Sequence, residues 1–360
     1  MRASITKPKT NVGIIFGGES AEHDVSIMSA RSVLGAIDRT RFTPYLIGVD
    51  RTGRWHMVDE QDLAQYKHIE KSSRGRLHMT SEDDGLSLTH RDSVLPKLDV
   101  IFPLIHGPKG EDGSLQGLLE LMNMPYVGPN VLSSAVGMDK DMSKRLLREA
   151  GIPVADHLVL RRHDNHEQAV KSASGFDYPL FVKPANLGSS IGVSKVRSDQ
   201  ELLRAIQYGF RHDRKVIIEQ AVVGDEIECA VLGYGNPAVS VPGRIIFKTD
   251  FYDYDAKYDD SKGTELEVPA DLSPDLTARV QATARHAYQA LECEGLARVD
   301  MFVTASGDIY VNEVNTLPGF TKYSMYPKLW EATGLPYREL ITKLIHTTLE
   351  KDSVMDTSFG

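Results

Sequence analysis

Two short runs near the C-terminus constrain this chain most: Arg298-Val299-Asp300-Met301-Phe302-Val303 and Ile309-Tyr310-Val311-Asn312-Glu313-Val314-Asn315. Both are rich in β-formers and a Ser306-Gly307 turn signal separates them, so they predict a β-hairpin. A two-residue loop sets Asp300 directly across from Glu313 and Arg298 across from Asn315, all on one face by the period of two. Val299, Met301, Val303, Tyr310 and Val314 take the other face. Opposed carboxylates destabilise a strand pair unless a cation lies between them. Magnesium suits that position, because it takes one or two carboxylates and completes its shell with water and substrate phosphates. Asn315 offers a further oxygen. The competing account is a solvated polar face on an edge hairpin.

A second informative stretch is Leu180-Phe181-Val182-Lys183-Pro184, a strand ending in a cation that runs into Ala185-Asn186-Leu187-Gly188-Ser189-Ser190-Ile191-Gly192. Small residues let backbone N–H groups and hydroxyls approach phosphate oxygens. In a P-loop the lysine follows the glycines and a helix comes next; here Lys183 precedes them and Val193 to Val196 reads as a strand. A hairpin folding over a triphosphate fits this order, and a flexible turn is the alternative.

The rest of the chain supplies enzyme-sized modules. Its 360 residues, 41% hydrophobic, are enough for two or three domains. With 41 Lys plus Arg against 50 Asp plus Glu, the net charge of −9 offers no basic footprint for nucleic acid or an anionic membrane. No window reaches the roughly 18 apolar residues of a membrane span, and residues 1–10 lack the apolar core of a leader, so a cytoplasmic location is expected. Cys229 and Cys293 stand far apart without a histidine-rich neighbourhood and read as buried thiols. Strand-like and helical runs alternate, giving α/β and α+β modules. The first opens as a βαβ unit, with a strand at Asn11 to Phe16, a turn at Gly17-Gly18, a helix capped by Ser20 with Glu22 in its first turn, and strands at Tyr45 to Val49 and Val100 to His106. Further strands are expected at His157 to Leu160, Val216 to Gln220, Glu226 to Gly233 and Ala238 to Ile246. Helices are expected at Asp139 to Ala150, Pro274 to Leu291 and Tyr337 to Leu349.

With these elements in hand, the chain resembles the D-alanine–D-alanine ligases of the ATP-grasp superfamily. Eight motifs recur in family order: GGESAEHDVS (Gly17–Ser26), HGPKGEDGSLQG (His106–Gly117), MDKDMSK (Met138–Lys144), FVKPANLGSSIGVSKV (Phe181–Val196), IEQAVVGDEIE (Ile218–Glu228), FYDYDAKY (Phe251–Tyr258), ARVD (Ala297–Asp300) and NEVNTLPGFTKYSMYP (Asn312–Pro327). The resemblance implies a three-domain ATP-grasp architecture: a substrate-side domain over 1–137, a central domain over 138–220, and a C-terminal domain over 221–360 with the magnesium site and a lid. ATP lies between the last two, and the amino-acid substrates lie where all three meet. It further implies ATP-dependent joining of two D-alanines for peptidoglycan precursors, through an acyl phosphate and a tetrahedral intermediate.

The resemblance also distributes roles. Asp300, Glu313 and Asn315 match ligands of two magnesium ions, which manganese can replace. Lys140, Lys183 and Ser190 fall on the ATP phosphates, Glu219 on the adenine amino group and Glu226 on the ribose. Arg298 and the Gly319 N–H take the oxyanion. Glu22 holds the first substrate's ammonium in a network with Ser189 and Tyr258, while Ser324 and the Met325 backbone take the second substrate's carboxylate. Lys257, in the lid, approaches the γ-phosphate. Tyr258 in place of the histidine typical of depsipeptide-forming relatives argues for D-alanine as acceptor. His106 and Glu111 line the substrate side. The family is commonly homodimeric. Another ATP-grasp carboxylate–amine ligase, or a non-catalytic ATP-binding regulatory module, are the alternative readings.

Overall fold

The apolar run at the N-terminus becomes a strand buried on both faces, as parallel strands are. The computed structural model describes residues 8–65, 69, 77–82, 85–90, 93–247 and 264–356. The chain divides into two compact units, Met1–Val131 with Leu317–Gly360, and Leu132–Thr316.

The first unit runs β1 (Thr10–Gly17), α1 (His23–Ala36), β2 (Phe42–Val49), β3 (Trp55–Val58), α2 (Glu60–Gln65), a small antiparallel sheet of β4 (Leu77–Glu82), β5 (Gly85–His90) and β6 (Ser93–Val94), then β7 (Val100–Pro103) and α3 (Ser114–Leu121). Its main sheet has the order β3-β2-β1-β7, with β1 parallel to both β2 and β7. The expected βαβ opening is therefore present. Gly17 is required at the end of β1: its φ is +95°, and a Cβ there would stand 2.2 Å from the Val49 carbonyl oxygen. The cap of α1 differs from expectation. Ser20 turns its hydroxyl to the His106 carbonyl, and its own carbonyl accepts from the His23 N–H. The helix consequently starts later, and Glu22 is its N-cap residue instead of lying in its first turn.

The second unit contains α4 (Val131–Met138), which begins at its edge, α5 (Lys140–Glu149), β8 (His157–Arg161), α6 (His166–Ser172), β9 (Leu180–Pro184), β10 (Ser194–Val196), α7 (Asp199–Gly209) and β11 (Lys215–Gln220). These give an antiparallel sheet of order β10-β9-β11-β8, packed on α6 and α7 through Ala169, Leu202 and Ile206. Next come β12 (Asp225–Leu232), β13 (Ala238–Val239), β14 (Gly243–Phe247), β15 (Thr264–Glu267), α8 (Pro274–Ala290), β16 (Leu296–Val303) and β17 (Ile309–Asn315). They form a second sheet, β15-β14-β12-β16-β17, with α8 burying Val280, Ala284 and Tyr288 against it. The strand expected over Ala238 to Ile246 is two strands, because Pro242 lacks the N–H a continuous ladder needs. Side-chain caps start two of these helices: Asp139 accepts from the Asp141 and Met142 N–H groups, and Ser273 from that of Leu276, with Pro274 at the first turn.

The chain ends with α9 (Met325–Ala332) and α10 (Tyr337–Asp356), which packs with α1 and β7 in the first unit. Cys229 and Cys293 are buried free thiols, and burial pushes Cys293 up to about 12. Among the described residues no helix is long and apolar enough to cross a membrane.

Candidate active site

Asp300 pairs with Glu313 and Arg298 with Asn315, as the hairpin reading requires, but the route to that register is different. The turn holds three residues between Thr304 and Asp308, with Gly307 at φ +84°, a loop type that uses a left-handed glycine. Near the turn Met301 opposes Val311 and Phe302 opposes Tyr310; a β-bulge then inserts Asn312 and shifts the register by one. The bulge also changes the core face. Ile309 and Val311 are buried there, whereas Tyr310, expected on that face, is half-exposed opposite Phe302.

Beyond Asp300 the row continues onto the next strand, where Glu228 is its partner. Sequence reading gave Glu228 no role. One oxygen each from Glu228, Glu226 and Asp300 lies within 4.8 Å of the other two. Arg298 neutralises this group: Nε is 2.9 Å from Glu228 Oε2, and Nε and Nη2 donate to the two oxygens of Asp300. Burial disfavours the guanidinium charge, but Asp300 and Glu228 outweigh it and hold Arg298 firmly protonated. Asn315 Nδ2 donates to Asp300 Oδ2 at 2.8 Å. Glu313 turns to Lys140 at 3.5 Å. An all-oxygen donor set of this kind fits a hard divalent cation.

The lysines converge on the same region. Lys140 Nζ donates to the Leu187 carbonyl at 2.7 Å and so joins the Gly-Ser loop to Glu313. Lys183 Nζ stands 2.8 Å from Glu219 Oε2, and Lys144 Nζ 3.0 Å from Oε1. Lys144, missed by sequence reading, is almost wholly buried. Burial would raise the Glu219 carboxyl, but the two ammonium groups hold it at about 2. For Lys183 burial opposes the charge and Glu219 overcomes it, whereas burial prevails at Lys144 and lowers it. Glu219 is itself buried with both oxygens engaged. Ser189 and Ser190 sit on the loop between β9 and β10 at φ +51° and +57°, both left-handed.

In the first unit, His106 is buried, with Nδ1 3.1 Å from the Leu317 carbonyl and Nε2 3.1 Å from Ser29 Oγ. Ser29 Oγ in turn accepts from the Phe320 N–H, so Ser29 and His106 bracket Gly319. Ser29 was not singled out in the sequence. Burial lowers His106, but Glu111, 3.8 Å away, and Glu22 more than offset it; burial raises Glu111. Glu111 Oε2 accepts from the Gly107 N–H. Ser324 begins α9 and its Oγ accepts from the Thr321 N–H, beside Gly319, where a Cβ would lie 3.1 Å from that hydroxyl. Met325 is buried. Lys257 and Tyr258, with the whole of Phe251–Tyr258, lie outside the described residues.

Solved structures share this fold. The D-Ala:D-Ser ligase VanG from Enterococcus faecalis aligns with TM-score 0.85 and 38% identity over 95% of this chain and 100% of its own. The D-alanine-D-alanine ligase from Coxiella burnetii aligns with TM-score 0.84 and 36% identity over 98% and 97%. These are ATP-grasp proteins, the class to which the two antiparallel sheets with facing lysines and carboxylates belong. Family models described as the N-terminus and C-terminus of D-ala D-ala ligase match residues 11–129 and 146–346. The D-alanine–D-alanine ligase of Shouchella clausii is 51% identical over 95% of both chains, and D-alanine–D-alanine ligase A of Escherichia coli is 47% identical over 95% of this chain and 96% of its own. The chain belongs to the D-alanine–D-alanine ligase family.

Proposed function

We propose that this protein joins two D-alanine molecules with ATP, giving D-alanyl-D-alanine, ADP and phosphate for peptidoglycan synthesis. The carboxylate of the first D-alanine attacks the γ-phosphorus and ADP leaves with the bond electrons. The amine of the second attacks the acyl phosphate carbon, and phosphate departs as the tetrahedral intermediate collapses and the amine loses its proton. Such chemistry depends on charge neutralisation and positioning, not on a covalent enzyme nucleophile.

The observation that carries this reading is the Glu228, Asp300 and Glu313 row with Arg298 and Lys140 against it. Asp300, Glu313 and Asn315 are the proposed holders of two magnesium ions, with manganese as a substitute; bound there, the metal neutralises phosphate charge. Lys140, Lys183 and Ser190 serve the phosphates, Glu219 and Glu226 the nucleoside, and Arg298 the developing oxyanion. Gly319 is proposed to donate to charge on the substrate, while Glu22, His106, Ser324 and Met325 serve the amino acids. Ser189, Tyr258 and Lys257 complete the assignment. We further infer the division into 1–137, 138–220 and 221–360, supported by the separate sheets before and after residue 220, together with a homodimer in the cytoplasm.

Phosphate release with ATP, magnesium and D-alanine, with the product identified by mass, tests the proposal. D-lactate and D-serine run in parallel as competing acceptors, D-serine because one neighbour is a D-Ala:D-Ser ligase. The dipeptide should dominate; a silent assay with every acceptor overturns the reading.

A further inference from the structure

Lys144 closes a ring of four residues, one link of which is a backbone carbonyl. Its ammonium reaches Glu219 Oε1 at 3.0 Å and the Asn312 carbonyl at 3.1 Å; Lys183 reaches the other Glu219 oxygen at 2.8 Å and Asn312 Oδ1 at 3.4 Å. Four elements thus meet at two cations: α5 gives Lys144, β9 Lys183, β11 Glu219 and β17 Asn312. Asn312 is the residue that the bulge inserts into β17. Its carbonyl lies on the edge strand β17 and is part-buried, and a backbone acceptor shielded from water is costly without a donor. Lys144 supplies it.

The position of this bulge decides where the carboxylates point. With the near-turn register continued, Asp300 would oppose Asn312, and Glu313 would move to the face that carries Val311 and Val314. The extra residue keeps Asp300 across from Glu313.

We propose that Lys144 is a positioning residue for the divalent-cation site: by holding Glu219 and the Asn312 carbonyl together, it fixes the bulge and thereby the register that sets Glu313 beside Asp300. It is not itself one of the proposed nucleotide or metal contacts, and acts through Glu219 and Asn312. The proposal rests on the reading of Asp300 and Glu313 as metal ligands given above.

The test is ADP binding measured by calorimetry across a magnesium titration, on wild type, Lys144→Met and Lys144→Arg, with circular dichroism and Tm recorded for each. Partners of metal ligands typically change metal affinity by about 10–100-fold when removed. Lys144→Met should fold and need at least about tenfold more magnesium for half-maximal ADP binding, with Lys144→Arg recovering part of the loss. A Lys144→Met protein with a lower Tm but the wild-type magnesium dependence overturns the proposal, since that is what a purely structural lysine gives. If Lys144→Met does not fold, Lys144→Gln is read by the same titration and the same criterion. Wild-type ADP binding that ignores magnesium altogether instead removes the metal-ligand reading beneath it.

Discussion

Arg298 and Asp300, two residues apart on β16, point the same way and share two parallel hydrogen bonds, Nε to Oδ1 at 2.7 Å and Nη2 to Oδ2 at 2.6 Å. Forked pairing of this kind is beyond a lysine, which is a point charge. Arg298→Lys should therefore lower kcat by about 100-fold or more, the scale of losing one oxyanion donor, with ATP affinity changed much less. Arg298→Ala should also lose on the order of 3 kcal/mol in urea unfolding, because the buried Glu228 and Asp300 keep their charges without this cation beside them. Near-normal turnover in the lysine variant would show that charge alone suffices.

Ser29 joins His106 to the backbone at Phe320. Ser29→Ala leaves a ring nitrogen and an amide without this partner inside the first unit, at a cost of about 1–3 kcal/mol. Denaturant unfolding measures that loss. Kinetics should show a fall in kcat with the KM for ATP intact, because the segment around Gly319 loosens and no proposed nucleotide-binding group is touched. Equal losses in both constants would count against the bracket around Gly319.

Gly110 shows why the loop after β7 is glycine-rich. A Cβ there would stand 2.1 Å from the Ile105 carbonyl oxygen and 2.7 Å from its carbon, which are backbone atoms and cannot rotate away. Gly110→Ala should destabilise the first unit by about 3 kcal/mol through overpacking. An unchanged Tm would mean the loop has room that the geometry denies.

The Glu219 carboxyl is depressed from 4.5 to about 2 against burial, by Lys144 and Lys183. A depressed carboxylate contributes stability that is fully present above its unfolded value and lost as pH falls through the folded one, here on the order of 3 kcal/mol. Glu219→Gln should accordingly be less stable than wild type at neutral pH, and the gap should shrink as the pH is lowered from about 4.5 toward 2. Urea midpoints at stepped pH measure it, and a gap independent of pH would refute the assignment.

Much of the fold, and the strand pairing at the candidate site, were legible because their signals are local. Ser273-Pro274 marks a helix start, Gly17 a turn, and the alternation along β16 a half-buried strand. The hairpin shows the limit. A two-residue loop was the wrong premise, yet Asp300 still meets Glu313, since the bulge at Asn312 compensates for the longer turn. Its trace is in the sequence: the buried positions run Ile309 and Val311 before Asn312, then Val314 after it. Tyr310 hid that change, being apolar enough to read as core. Glu228, Lys144 and Ser29 were not legible, because their partners lie far along the chain, as with Lys144 and Glu219, and only the fold brings them together.

Ser189 and Ser190 lie consecutively in the left-handed region, where a side chain costs roughly 1–2 kcal/mol per residue and glycine almost nothing. Selection for thermal resistance alone should thus bring glycine to both positions early. Selection that also demands the enzyme's product should keep the serines, whose hydroxyls glycine cannot supply. Populations evolved under the two regimes would separate at this loop first, and sequencing them would weigh what those two oxygen atoms contribute to fitness.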